Sequence, residues 1–149
     1  MRPSSFNKYL LLLLVLTAFA GCKKESLLDE KPSIEWVAYG PKDIQEKQDS
    51  VWFRIRYSDG DGDLGENDPK AHNLILLDTR INVGYSFRIS ELVPNKGSVP
   101  ITGILGFSIP STLVTGNDSV ESVRYQVWVI DRAGNKSDPL FTEGQKVHR

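Results

Sequence analysis

Three aspartates alternate with glycines in YSDGDGDLGEND, residues 57–68. Calcium takes about six to eight oxygen ligands, and carboxylates at alternate positions of a curled loop can turn together onto one ion. Asp59, Asp61 and Asp63 have that spacing, and Gly60 and Gly62 allow the backbone to reverse and expose its carbonyls. The stretch is not an EF-hand. Its sixth position is Leu64 rather than glycine, and its twelfth is Lys70 rather than glutamate. A calcium loop of another type would take Asp59, Asp61 and Asp63, with Asp68, Asp131 or Asn135 available to complete the shell. Three carboxylates this close repel by about 1 kcal/mol per pair even in a water-like dielectric, and a cation removes that cost. Arg132 or Lys136 could remove it too, and a solvated Asp–Gly turn would need no counter-ion. The residue types leave all three readings open.

No other constellation suggests chemistry. His72 and His148 are the only histidines, and neither has a metal-ligand spacing such as His-Glu-x-x-His. Nucleophile-elbow, phosphate-loop and dinucleotide signatures do not occur. The acidic clusters fall in loops without the aromatic-lined cleft a glycosidase needs. The expectation is a protein that is not an enzyme. Trp52 and Trp128 fall on the polar phase of their strands, so they are either contact aromatics for a glycan or protein or are covered by other parts of the molecule.

The elements that must position these residues have period two. In VWFRIRY, Val51, Phe53, Ile55 and Tyr57 share one face, and VRYQVWV repeats the pattern with Val123, Tyr125, Val127 and Val129. YSFRI and ITGILGFSI add two more strands, with SIEWVAY, HNLILLD and PLFTEGQKV as weaker ones. PKDIQEKQ is at most a short turn. Seven short strands separated by Gly, Pro, Asn and Asp clusters predict an all-β chain: a single immunoglobulin-like antiparallel β-sandwich over residues 33–149. In such sandwiches the loops after the second and sixth strands lie at the same end, which brings Asp59, Asp61 and Asp63 near Asp131 and Asn135.

Residues 1–21 read as a signal peptide. Arg2 and Lys8 precede the apolar run YLLLLLVLTAFA, which is shorter than the roughly 20 residues a membrane span needs. Cys22, the one cysteine, stands where cleavage falls. AGC resembles the lipobox of bacterial lipoproteins, and the resemblance implies a cysteine lipidated through sulfur that anchors the mature chain in a membrane. An ordinary signal peptide with a chance cysteine is the plainer alternative. Residues 22–32 then form a lipidated, polar tether. Lys23 after the cysteine is not the aspartate of inner-membrane retention, so the resemblance implies the outer membrane, on its periplasmic or surface side. Removal of residues 1–21 leaves 16 basic against 19 acidic side chains, a net charge of −3. No basic stripe stands out, so nucleic acid is not an expected partner.

VIDRAGNKS resembles the last hairpin of bacterial immunoglobulin-like domains, and RYSDGDGDLGEND resembles a motif of small Bacteroidota lipoproteins with such sandwiches. That resemblance implies a fold and an address rather than an activity. The expected function is a non-catalytic envelope lipoprotein, a calcium-stabilised module that binds a glycan or an envelope protein. The alternative is a structural accessory subunit of a larger outer-membrane complex.

Overall fold

The computed structural model describes residues 28–93 and 98–149, so the signal-peptide reading of residues 1–21 and Cys22 lie outside the described residues. Within them the chain is an all-β sandwich. There are ten strands rather than seven: β1 (Ser33–Gly40), β2 (Asp43–Gln45), β3 (Val51–Asp59), β4 (Leu74–Asp78), β5 (Val83–Phe87), β6 (Ile101–Ile109), β7 (Val120–Val123), β8 (Tyr125–Val129), β9 (Leu140–Phe141) and β10 (Gln145–His148).

The count rises because long passages change partners. The expected sixth and seventh strands are each present, but in two parts, β7 with β8 and β9 with β10. Val127 opposes Leu140, whereas Val123 opposes Gln145, so the hairpin changes register by one residue between them. At the break Thr142 bridges the ladder. Its Oγ1 accepts from the Tyr125 N–H at 3.0 Å, and its own N–H donates to the Tyr125 carbonyl at 2.9 Å. The tenth strand is β2, which forms where only a turn was expected. Its Ile44 is fully buried, which gives that short segment a reason to pair.

β1, β3 and β6 form one sheet in the order β1-β3-β6, and the other face is β5-β4-β8-β9, continued by β2-β10-β7. The expectation of a purely antiparallel sandwich needs one correction: β2 runs parallel to β10. The chain leaves β1 in the first sheet and enters β2 in the other through Gly40 and Pro41, whose peptide bond is cis. The strand expected fourth, β5, stands beside β4. In the constant-type immunoglobulin arrangement the fourth strand joins the first, second and fifth instead.

The period-two pattern gives the core. Val51, Phe53, Ile55 and Tyr57 of β3 and Val123, Tyr125, Val127 and Val129 of β7 and β8 are buried, while Trp52, Arg54, Arg56 and Arg124 are exposed. Rings cross between the two layers. Phe53 meets Tyr125 edge-on at 5.3 Å between centroids, and Phe87 of β5 meets Phe107 of β6 at 5.3 Å. β3 ends at Asp59, and Leu74 at the start of β4 opposes Val129 at the end of β8. The β3–β4 and β8–β9 loops therefore share one pole, as the sandwich topology requires.

An aspartate at Phe53 or Val127 would bury an unpaired charge, which costs several kcal/mol and is enough to unfold a domain of ordinary stability. Aspartate at Arg54 or Gln126 faces away from the core. Chemical denaturation should show loss of the cooperative transition for the first pair and a shift within about 1 kcal/mol for the second. Equal effects on both pairs would contradict the inward and outward assignment.

Candidate metal site

β3 carries its inward phase one step beyond the apolar residues. Asp59 follows Val51, Phe53, Ile55 and Tyr57 on the same side and is fully buried. One of its oxygens, Oδ2, accepts a hydrogen bond from the Leu64 N–H at 2.7 Å. Leu64 is itself completely buried, so this bond closes a short loop over 60–63 by inserting its last side chain into the core. The other oxygen, Oδ1, is buried without a hydrogen-bond partner, and so are Oδ1 of Asp61 and Oδ1 of Asp63. One carboxylate oxygen from each of the three lies within 4.8 Å of the others.

The glycines are needed where they stand. Gly62 has a φ of 73°, in the left-handed region, and a Cβ there would collide with the Val99 carbonyl oxygen. Gly60 allows the chain at Leu28 and Asp29 to pass directly over the loop, and its N–H donates to the Asp29 carbonyl at 2.8 Å. The residues just before β1 thus lie against the aspartate loop.

The β8–β9 loop closes the third side. Asp63 Oδ2 accepts from the Ala133 N–H at 2.9 Å, and the Arg132 N–H reaches the Asp63 carbonyl at 3.4 Å. Asp131 and Asn135 are brought to this pole as expected, but they bond mainly to each other. Asp131 Oδ1 accepts from the Asn135 N–H at 2.7 Å, and its Oδ2 accepts from Asn135 Nδ2 at 2.9 Å. The converging group is therefore Asp59, Asp61 and Asp63, with Asp131 adjacent. Asp68 is exposed and holds the Lys70 N–H at 2.9 Å.

The basic side chains nearest in sequence to this pole are engaged elsewhere. Arg132 directs its guanidinium to the Gly65 carbonyl at 3.0 Å and towards Glu91 at 3.7 Å, and Lys136 lies over the Trp128 ring at 4.0 Å. Among the described residues no lysine, arginine or histidine forms an ion pair with Asp59, Asp61 or Asp63. Three carboxylate oxygens buried without a protein donor set this loop apart from a fully exposed turn.

The electrostatics follow from the burial. Burial pushes the Asp59 carboxyl up to about 6, against the Leu64 N–H, and the neighbouring Asp61 and Asp63 add to the rise. Asp63 is raised by burial, then by the charges of Asp131 and Asp61, with the Ala133 N–H and Arg132 opposing. Burial and the charge of Asp59 raise the Tyr57 phenol. An all-oxygen, all-anionic donor set suits a hard divalent cation such as calcium, and it lacks the nitrogen and sulfur donors typical of zinc. Comparison with protein-family models, curated proteins and solved structures found no match.

The two aromatics have different settings. Trp52 is 43% exposed on the outer face of the first sheet, and its indole lies across Gly40 of β1. Trp128, on the outer face of the other sheet, is half-buried beneath Lys136. Leu64 is the residue that the motif reading passed over. A lone leucine among Asp and Gly is the signal for it, because such a residue pins the loop to the core.

The raised carboxyls set a pH dependence for the protein with no cation bound. The folded state holds its proton on Asp59 up to about 6, whereas the unfolded chain releases it near 3.8. Stability from this group is full below the unfolded value and is lost as pH rises through the folded one. In chelator the melting temperature should fall between pH 5 and pH 7, and Asp59→Asn should flatten that slope. A melting temperature that rises over the same window, equally in both proteins, would show that Asp59 is not the titrating group.

Proposed function

We propose that this chain is a non-catalytic envelope lipoprotein, anchored through Cys22, whose β-sandwich is a binding module clamped by one calcium ion. The observation that carries the calcium reading is the set of three buried Oδ1 atoms, one from each of Asp59, Asp61 and Asp63, that have no hydrogen-bond donor. A divalent cation supplies what those atoms lack and relieves the mutual repulsion of their charges.

The ion has a structural role in this reading. Asp59 belongs to β3, Asp61 to the loop after it, and Asp63 holds the β8–β9 loop through Ala133. One cation therefore ties the end of a core strand to two loops. Modules that work outside the cytoplasm bind calcium at about 10⁻⁴ to 10⁻³ M, which suits an exported domain. The binding role is supported by the exposed Trp52 and by its neighbour Arg54, for which no ion pair forms among the described residues. An aromatic beside an unpaired arginine is a common composition for a contact surface towards a glycan or an envelope protein.

Millimolar calcium, at about one to ten times a Kd in that range, stabilises the native state by about 0.4 to 1.4 kcal/mol, or roughly 2 to 6 °C in a domain of this size. A thermal scan in millimolar calcium against chelator should show that rise in the wild type and none in Asp61→Ala. Magnesium should substitute poorly, because it demands a smaller and stricter octahedral shell. Equal melting temperatures in calcium and chelator would remove the calcium clamp from the proposal. The anchor is tested separately: Cys22→Ser should abolish lipid labelling and leave uncleaved or misrouted precursor. A Cys22→Ser chain that still labels with lipid would contradict the anchor.

A further inference from the structure

An exposed sheet edge offers a row of unpaired N–H and C=O groups to any other strand, so proteins usually shorten, bend or charge their edges. Most edges here follow that rule. β2, β5, β7 and β9 have five residues or fewer. β1 is long, but its register shifts between Trp36 and Ala38, and its Glu35 is ion-paired to Arg56 at 2.6 Å. β6 is different. It is nine residues long, ITGILGFSI, pairs on one side only with β3 in unbroken register, and contains no charge and no proline. Among the described residues, no backbone group outside β3 bonds to residues 101–109. Ile104 on its outer face is 48% exposed.

We infer that β6 is a dimerisation edge whose partner is β6 of a second copy of this chain. The strand is complementary to itself. Antiparallel pairing about a two-fold axis at Leu105 overlaps all nine residues. It sets Phe107 opposite Gly103, Ile104 opposite Gly106, Thr102 opposite Ser108 and Ile101 opposite Ile109. Ile104 and Phe107 each meet a glycine, Leu105 meets its own copy on the axis, and the two hydroxyl residues meet each other. Directly opposed residues in an antiparallel pair lie on the same face, so Ile104 and Gly106 meet on the outer face. On the inner face the incoming Phe107 meets the Tyr57 ring, which already lies against Gly103. A slip by one residue would exchange inner for outer side chains, so the face pattern excludes it. An isologous two-fold contact of this kind closes on itself and does not propagate into fibres. The product is a continuous six-stranded sheet, β1-β3-β6 joined to its mate, with the two aspartate poles at opposite ends.

The test is cross-linking in membranes containing the full chain. Leu105→Cys sits on the two-fold axis, where opposed Cα atoms in an antiparallel pair are about 4.5 to 5.5 Å apart, within disulfide range. Mild oxidation should convert most of this variant to a disulfide-linked dimer on a non-reducing gel. Val83→Cys, on the exposed edge of β5, should stay monomeric. Ile104→Lys, in detergent-purified full chain, should convert a dimer of the wild type to a monomer by light scattering without lowering its melting temperature. The inference is overturned by a wild type that is monomeric at 100 µM (a concentration of about 10⁻⁴ M that a stable dimer tolerates). Equal cross-linking of both cysteines, or a Leu105→Cys product containing a different protein, overturns it as well.

Discussion

The architecture of this pole depends on one buried carboxylate. Asp59 occupies an inward position at the end of β3, where the preceding four inward residues are all apolar or aromatic. Burying an ionised carboxylate is costly unless it is paired and hydrogen-bonded. Asp59 receives one backbone donor and faces two more carboxylates instead of a cation. The Leu64 N–H that it accepts also fixes the side chain that plugs the loop into the core, so charge compensation at Asp59 and apolar packing at Leu64 are linked. A counter-ion at this position would act on the fold as well as on the loop.

The opposite pole shows how the same chain treats a buried aspartate when it supplies the partner itself. Asp78 ends β4, is 1% exposed, and is gripped by Arg80 through two contacts, at 2.7 Å and 3.1 Å. The guanidinium also reaches Glu121 at 2.9 Å and the Thr112 hydroxyl at 3.1 Å, while Glu121 accepts from the Thr115 N–H at 2.7 Å. That network balances itself from within and leaves neither Asp78 oxygen without a partner. Among the described residues nothing equivalent serves Asp59, Asp61 and Asp63, although Arg132 and Lys136 stand close in sequence to their neighbours in the β8–β9 loop. The contrast between two equally buried strand-end aspartates is the reason to read an external cation at one pole and none at the other.

Much of this was legible in the sequence, for reasons that can be named. Alternation in VWFRIRY and VRYQVWV gave the inward faces, because half-buried strands repeat every two residues. Extending that phase by one step from Tyr57 also reaches Asp59, which separates a core-facing aspartate from two loop residues. The pole shared by the β3–β4 and β8–β9 loops followed from the sandwich topology. The strand count did not, because the break at Arg124 depends on a side-chain bond from Thr142 that no local pattern reports. β2 was illegible too: its three residues are held by a parallel pairing with the far end of the chain. Asp131 and Asn135 reached the right pole, but their attachment to each other is set by the turn between them, and residue type alone does not decide it.

Calorimetric titration of chelator-stripped protein with calcium at pH 7 asks directly whether Asp59, Asp61 and Asp63 hold an ion. One ion should bind per chain with a Kd of about 10⁻⁴ to 10⁻³ M. Protons should be released on binding as the buffer approaches pH 6, since the ion competes with the proton that Asp59 holds up to about 6. Absence of saturable binding, or binding of equal strength and stoichiometry in Asp59→Asn, would contradict a calcium site at these aspartates.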